Sequence, residues 1–114
     1  MNTIDSYQSG LIVINGKKYT SDVIIFPDSV KDNWWRKAAH QLCLDDIAEV
    51  LTENPEVLVV GTGTSGLVKV LPEVRQVAEV QGIELIVEAT DTACNTYNQL
   101  SHSRRAVAAL HLTC

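Results

Sequence analysis

The sequence predicts an α/β fold: one domain over residues 1–114, with a central, mixed and mostly parallel sheet, flanking helices and an N-terminal antiparallel β-hairpin. Two observations carry this prediction. In the second half of the chain, near-continuous apolar runs alternate with helical patterns, as buried parallel strands do: 57–60, 83–88 and 105–112. In the first third, the Asn15-Gly16 pair follows an apolar run, and this pair is a strong hairpin signal because both residues tolerate positive φ.

The first third of the sequence predicts three strands. The hairpin pairs the apolar run 11–14 with a return strand that includes 18–20. The β-branched run 23–26 predicts a further strand, and the turn former Pro27 ends it.

A helix is predicted over 44–53, after an irregular stretch at 30–44. Asp45 or Asp46 can cap its start, since a carboxylate accepts hydrogen bonds from the free amides of a first turn. Pro55 ends the helix, because the residue before a proline avoids helical geometry.

The second half predicts alternating strands and helices. A helix over 72–80 has Pro72 in its first turn and Gly82 as its stop, which is the usual placement of both residue types. The remaining elements are a strand over 83–88, a helix capped by Thr90 or Asp91 and running to about His102, and a closing strand over 105–112.

Composition and charge exclude some functions. The chain has 14 acidic and 9 basic residues, a net charge of -5, and its basic residues are scattered, so we expect no nucleic-acid partner. No apolar run reaches the roughly 18 to 20 residues that a membrane span needs. The N-terminus lacks the pattern of a signal or transit peptide, and a soluble, cytoplasmic protein is therefore expected.

Cysteine and histidine spacing predicts neither a disulfide framework nor a metal site. The three cysteines, Cys43, Cys94 and Cys114, are odd in number and widely spaced, without a C-x-x-C motif. The histidines, His40, His102 and His111, show no metal-ligand spacing, and none lies near a nucleophile or paired carboxylate in sequence. We therefore expect no catalytic residues, no metal and no cofactor.

The glycine-rich loop Gly61-Thr62-Gly63-Thr64-Ser65-Gly66 is the most distinctive motif. It has G-x-G-x-x-G spacing after an apolar strand, and Glu88 ends the next apolar run, which together match the dinucleotide-binding fingerprint. Pro72 argues against that interpretation, because proline cannot lie inside a helix that begins within the motif. The apolar piece 67–70 looks extended instead, and only two further core strands fit after the loop.

Three interpretations of the loop remain open. The favoured one is a sharp exit from a buried strand. The second is a site for a small anion or polar ligand, held by loop amides and by the hydroxyls of Thr62, Thr64 and Ser65. The third, a dinucleotide site, is the weakest.

Asp91, Thr92 and Asn98 follow the strand 83–88 at the edge where open α/β sheets bind ligands. They are therefore candidate ligand residues that share a crevice with the glycine loop. The alternative is structural: Thr90 or Asp91 caps a helix, and Asn98 is buried and bonded to backbone.

The adjacent tryptophans Trp34 and Trp35, with Arg36, form a candidate contact surface. Neighbouring side chains of an extended segment point in opposite directions, so one tryptophan can be buried while the other is exposed. The alternative is that both pack over the edge of the sheet.

A series of short motifs extends over nearly the whole chain: Trp35-Arg36, Val59-Val60-Gly61-Thr62-Gly63, Pro72-Glu73, Gly82-Ile83, Asp91-Thr92-Ala93, Tyr97-Asn98-Gln99-Leu100 and Arg105-Ala106-Val107-Ala108-Ala109. In order and spacing they resemble a small domain family of largely unknown function, the Mth-type domain family, which includes a mitochondrial complex I assembly factor and an adipogenesis-associated protein. The resemblance implies one α/β domain with a mixed sheet, and no established catalytic activity. The mitochondrial member acts through protein partners.

The sequence therefore favours a non-catalytic protein-binding or assembly-type module over an enzyme. The alternative is a small-molecule or anion-binding protein, or an enzyme, with its pocket at the glycine-rich loop. The expected partner is a protein, without nucleic acid or membrane insertion.

Overall fold

The computed structural model describes residues 2–114. In chain order the elements are β1 (Ile4–Gln8), β2 (Leu11–Ile14), β3 (Lys17–Tyr19), β4 (Val23–Ile25), β5 (Val30–Lys31), β6 (Gln41–Leu42), α1 (Ala48–Glu53), β7 (Val57–Gly61), β8 (Lys69–Val70), α2 (Pro72–Gln81), β9 (Glu84–Glu88), α3 (Thr90–Leu100) and β10 (Ala106–Leu110).

Five strands form the central sheet in the order β5-β4-β10-β7-β9. The strand β7 runs parallel to both β10 and β9, whereas β4 pairs antiparallel with β10 and with β5. Every residue of β7 and β10 is buried, which explains why both strands are apolar throughout. The predicted α/β fold with a central mixed sheet is confirmed.

The two faces of the sheet bury separate cores. Side chains alternate along β7, so that Val57 and Val59 enter one core and Leu58 and Val60 enter the other. The first core lies under α3 and the N-terminal strands, with Tyr97 among its largest buried side chains. The second core lies under α1 and α2 and includes Trp34, so helices cover both faces.

The N-terminal hairpin is confirmed and belongs to a three-stranded antiparallel sheet in the order β1-β2-β3. Asn15 and Gly16 form the turn with φ angles of 52° and 80°, the positive values that favour these residue types. The strand β1 was not among the predicted elements. It pairs with β2 from Ile4↔Ile14 to Gln8↔Leu11.

Several predicted element boundaries hold and three details are wrong. The stretch 30–44, predicted to be irregular, contains the short strands β5 and β6. The helix α2 begins at Pro72 and ends at Gly82, which has a φ of 73°. The predicted helix over 44–53 is a 3-10 turn, Leu44–Ile47, followed by α1. The predicted cap of α3 by Thr90 or Asp91 is also wrong: the residue before the helix is Ala89, which makes no side-chain cap bond. The Thr90 hydroxyl bonds instead to the Gly63 amide and the His111 carbonyl.

Candidate functional site

The glycine-rich loop leaves β7 through a sharp, internally bonded turn. The Thr62 amide and hydroxyl both donate to the Glu88 carbonyl oxygen, at 2.9 and 3.1 Å. The Val68 amide donates to the Thr62 carbonyl at 3.1 Å, and the Gly66 amide donates to the Gly63 carbonyl at 3.2 Å. The turn is thus held by hydrogen bonds within the loop and by hydrogen bonds to the end of β9.

Thr90 joins the loop to the end of β10 in the interior. Its hydroxyl accepts a bond from the Gly63 amide at 2.8 Å and donates to the His111 carbonyl at 2.6 Å. The Thr90 amide donates to the Gly63 carbonyl at 3.1 Å. Because Thr90 is fully buried, water cannot supply these hydrogen bonds in its place. One hydroxyl therefore satisfies two buried backbone groups.

Residues 113 and 114 lie directly against the loop. The Thr64 amide donates to the Thr113 carbonyl at 2.7 Å, and the Leu67 amide donates to the Cys114 carbonyl at 3.4 Å. Gly63 has a φ of 107°, and a Cβ there would lie 2.5 Å from the Cys114 carbonyl carbon. Only glycine fits this contact. Several amides of the loop are also already used in hydrogen bonds within the protein.

Tyr7 connects the exposed tip of the loop to the N-terminal sheet. Its hydroxyl lies 2.7 Å from the Thr64 hydroxyl oxygen and donates to the Leu112 carbonyl at 2.7 Å. Since a tyrosine has one proton to donate, Thr64 is the donor in the first contact. Burial is the largest influence on the Tyr7 pKa and raises it above its ordinary value.

Asp91 and Asn98 border a cavity of about 220 Å³ between β1 and α3, together with Asp5 and Tyr7. The Asn98 side chain also binds the β1 backbone: its Oδ1 accepts from the Ile4 amide at 2.9 Å, and its Nδ2 donates to the Ile4 carbonyl at 2.8 Å. The structure therefore brings Asp91 and Asn98 together, beside the Tyr7–Thr64 contact.

Thr92 and Ser65, two further candidate ligand residues, are exposed. The Thr92 amide donates to Asp91 Oδ1 at 2.8 Å, which is a local contact on the first turn of α3. Thr92 does not line the cavity between β1 and α3. Binding of a ligand by these residues or by the glycine loop stays a prediction.

The two tryptophans have opposite environments. Trp34 is buried, and its indole N–H donates to the Asp46 carbonyl at 2.9 Å. Trp35 is 81% exposed. It lines two surface cavities, of about 500 and 330 Å³, and both also include Trp34 and Arg36. The segment thus presents one large aromatic side chain to solvent while its neighbour anchors it.

The Arg36 side chain anchors the segment that carries the two tryptophans. Its side chain is only 5% exposed and lies over the Trp34 ring, 5.1 Å from the ring centre. Its Nη1 donates to Asp22 Oδ2 at 2.9 Å, and its Nε and Nη2 donate to the Ala39 carbonyl at 3.1 and 2.8 Å. Arg36 is therefore a buried support, and Trp35 is the exposed member of the predicted contact surface.

Asp22 and His111 complete a polar cluster that sequence reasoning missed. The His111 Nδ1 lies 2.7 Å from Asp22 Oδ2, and the Leu112 amide donates to Asp22 Oδ1 at 2.8 Å. Burial alone would raise the pKa of the Asp22 carboxyl, but bonds from His111, Leu112 and Arg36 outweigh burial and lower that pKa. The available signal was a charged residue directly before a buried strand.

His40 and Cys114 lie beside His111. One donor atom from each of these three residues lies within 4.8 Å of the others, and His40 Nε2 is 3.5 Å from Cys114 Sγ. Imidazole nitrogen and thiolate sulfur are ligands for zinc and related metals. His111 and Cys114 are three residues apart, an H-x-x-C spacing that could have indicated part of the cluster, whereas His40 comes from a distant segment.

A family model described as a protein of unknown function (DUF498/DUF598) matches residues 4–112. The chain belongs to this family. The match contains every described strand and helix, from Ile4 to Leu110, so the fold described above is that of a DUF498/DUF598 domain.

Two named relatives show the range of this family. The chain is 33% identical over 109 residues to human NADH dehydrogenase (ubiquinone) 1 alpha subcomplex assembly factor 3, covering 93% of this chain and 58% of that protein. The chain therefore spans just over half the length of that relative. It is 30% identical over 112 residues to the 13 kDa major membrane protein of Francisella tularensis, covering 91% of this chain and 85% of that protein.

Solved structures of similar chains share the whole fold. A conserved hypothetical protein from Pyrococcus horikoshii superposes with a TM-score of 0.85 at 28% identity, over 98% of this chain and 99% of that one. An outer membrane protein from Bartonella henselae gives a TM-score of 0.82 at 25% identity, over 97% and 94% of the two chains. Within residues 2–114, no helix is both long enough and apolar enough to span a bilayer.

Proposed function

We propose that this DUF498/DUF598 domain is a non-catalytic protein-binding module of the assembly type, and that Trp35 is the centre of its contact surface. The observation that carries the proposal is the 81% exposure of Trp35 beside a buried tryptophan and a buried arginine. The printed name of the human relative, an assembly factor, supports an assembly-type role.

The local structure prepares Trp35 for binding. The backbone on either side is fixed, because Trp34 is anchored through Asp46 and Arg36 is anchored through Asp22 and Ala39. A side chain held on a rigid backbone loses less conformational entropy when it binds. Tryptophan is also among the residue types that contribute most to binding energy in protein interfaces.

The surroundings of Trp35 have the composition of an interface rim. The larger cavity beside it contains two ion pairs, between Lys31 and Glu49 and between Lys37 and Asp45. All four side chains are substantially exposed, so they contribute little to folding stability. An apolar centre with charged residues of both signs around it is typical of protein–protein contacts.

A Trp35→Ala variant tests this proposal. A protein captured from an extract of the source organism by the unmodified domain is identified and purified, and its affinity is measured by calorimetry. We expect the substitution to weaken binding at least about 30-fold, since truncating a central interface tryptophan costs roughly 2 kcal/mol or more. Folding is checked by thermal unfolding, which should be unchanged because Trp35 is exposed.

Val80→Ala provides the matched control. Val80 is 82% exposed on α2, which packs against β9 at the opposite edge of the sheet from β4 and β5. Its truncation should leave the affinity unchanged. The proposal is wrong if Trp35→Ala binds as tightly as the unmodified domain.

A second candidate function is the binding of a small polar ligand at the glycine-loop edge, with Gly61, Thr62, Gly63, Thr64, Ser65, Gly66, Asp91, Thr92 and Asn98 as its residues. The cavity of about 220 Å³ bordered by Asp5, Asp91 and Asn98 supports only the Asp91 and Asn98 part of this candidate, since none of the six loop residues lines it. Two carboxylates at one cavity suit a cationic or hydrogen-bond-donating ligand. Thermal-shift measurements with small amines and anions, repeated on Asp91→Asn, would separate the two functions, because bound ligand raises the unfolding temperature.

A cytoplasmic location is part of the proposal. All three cysteines are free in the structure, which suits a reducing compartment. We propose no nucleic-acid partner, given the net charge of -5. The protein-binding function as proposed uses no cofactor.

A further inference from the structure

We propose that His40, His111 and Cys114 form a zinc-binding site with one open coordination position. The three donor atoms lie within 4.8 Å of one another at one end of the central sheet. Its donor residues differ from the exposed Trp35 of the contact surface proposed above, but Asp22 and Arg36 support both and His111 lines one cavity with Trp35.

The donor distances suit a zinc ion. Zinc bonds of about 2.1 Å to nitrogen and about 2.3 Å to sulfur put tetrahedral donors roughly 3.5 Å apart. His40 Nε2 and Cys114 Sγ are already 3.5 Å apart. A small rotation of exposed side chains brings the set within bonding distance, because His40 and Cys114 are both exposed.

Asp22 supplies the supporting contact that such a site needs. Its Oδ2 lies 2.7 Å from His111 Nδ1, which is also 3.0 Å from Arg36 Nη2. In the tautomer whose Nδ1–H donates to Asp22, the other ring nitrogen, Nε2, is available to a metal and lies 3.5 Å from the Thr113 hydroxyl. Histidine ligands of zinc commonly donate their other ring N–H to a carboxylate, which fixes the ring and its tautomer. Arg36 holds the same carboxylate oxygen at 2.9 Å and thereby fixes the support.

The fold fixes the backbone of all three ligands. His111 directly follows β10 and its amide donates to the Gly61 carbonyl at 3.0 Å. Cys114 is held against the glycine loop, where its carbonyl accepts from the Leu67 amide at 3.4 Å. The His40 carbonyl accepts from the Lys69 amide at 2.9 Å, beside the β6–β8 pair.

Three protein donors with an open fourth position are the arrangement of zinc sites that bind water or a substrate.

Cobalt(II) titration tests the site. The metal-free, reduced protein is titrated with Co²⁺, which gives visible bands in tetrahedral sites and a sulfur-to-cobalt charge-transfer band with a thiolate ligand. We expect saturation at one equivalent, displacement by Zn²⁺ and a higher unfolding temperature with Zn²⁺. His40→Ala and Cys114→Ser should each abolish the thiolate-bearing complex, and neither should unfold the protein because both side chains are exposed.

The chain offers matched controls at sites elsewhere. His102→Ala and Cys43→Ser remove the same residue types outside the cluster and should bind Co²⁺ normally. Asp22→Asn should weaken Zn²⁺ binding by about 10- to 100-fold, the usual effect of losing a supporting carboxylate. The proposal is overturned if the unmodified protein takes up neither ion, or if His40→Ala and Cys114→Ser bind as tightly as the two controls.

Discussion

The Thr90 hydroxyl oxygen accepts the Gly63 amide proton at 2.8 Å, although the two residues belong to different segments of the chain. The same hydroxyl donates to the His111 carbonyl at 2.6 Å. Thr90, the first residue of α3, thus connects the segments that follow β7 and β10, at the edge of the sheet where the candidate residues lie.

Thr90→Val should destabilise the fold by about 2–6 kcal/mol, because it leaves a buried amide and a buried carbonyl without partners at roughly 1–3 kcal/mol each. The isosteric change preserves packing. Thr90→Ser is the control, since it keeps the hydroxyl and loses only a methyl group. Urea unfolding measures both. Equal stability of the two variants would show that the hydroxyl bonds contribute little.

Gly63→Ala should displace residues 113 and 114 from the loop, because the added Cβ would lie 2.5 Å from the Cys114 carbonyl carbon. Gly16→Ala is the matched control: it has a φ of 80°, near that of many turn glycines, and nothing lies within 4 Å of its added Cβ. The control carries only the backbone cost, about 1 kcal/mol. We expect the larger loss at Gly63, measured by thermal unfolding and by amide exchange of Thr64.

Asn98→Ala should loosen β1 from α3, since Asn98 makes both hydrogen bonds that hold the Ile4 backbone on the helix. The expected loss is about 1–3 kcal/mol, with faster exchange of the Ile4 amide. Asn95→Ala, an exposed position on the same helix, is the control. If Ile4 stays protected in Asn98→Ala, then β2 alone holds β1 in place.

Stability should fall as pH rises from 9 towards 12. Burial raises the pKa of Cys94 from 9.0 to about 12 and that of Tyr97 from 10.0 to about 12. The unfolded chain therefore releases these protons first, so their contribution is complete below pH 9 and is lost as pH passes through the folded values. Each group adds a slope of about 1.4 kcal/mol per pH unit within its window.

Denaturant unfolding at a series of pH values measures this alkaline loss. Above pH 10, the ordinary pKa of a tyrosine, Tyr97→Phe should reduce the slope of unfolding free energy against pH by the contribution of one titrating group. Cys94→Ala should reduce the slope from pH 9 upwards in the same manner. An unchanged slope in both variants would assign the alkaline loss to other groups.

The parts of the fold that local pattern determines were predictable. The strands β7 and β10 are apolar at every position because both of their faces are covered, and the Asn15-Gly16 turn requires positive φ at both residues. The strand β1 was missed because its exposed residues are polar, and because Asn98, its anchor on α3, lies far along the chain.

The candidate site was less predictable, since it depends on side chains from distant segments. The polarity of Thr90 suggested a helix cap, yet the buried Gly63 amide and His111 carbonyl are its partners. The opposite environments of Trp34 and Trp35 follow from extended geometry, whereas the burial of Arg36 depends on Asp22. His111 and Cys114 are close in sequence, but no spacing rule connects His40 to them, and only the fold brings it beside them.

The position of β10 has a consequence for synthesis of the protein on the ribosome. This strand lies between β4 and β7 in the sheet, yet it is the last strand along residues 2–114. Until it leaves the exit tunnel, β4 and β7 each keep an open, apolar edge, and such edges pair readily with other chains. The nascent chain therefore depends on prompt synthesis of β10, or on a chaperone, until this strand closes the gap.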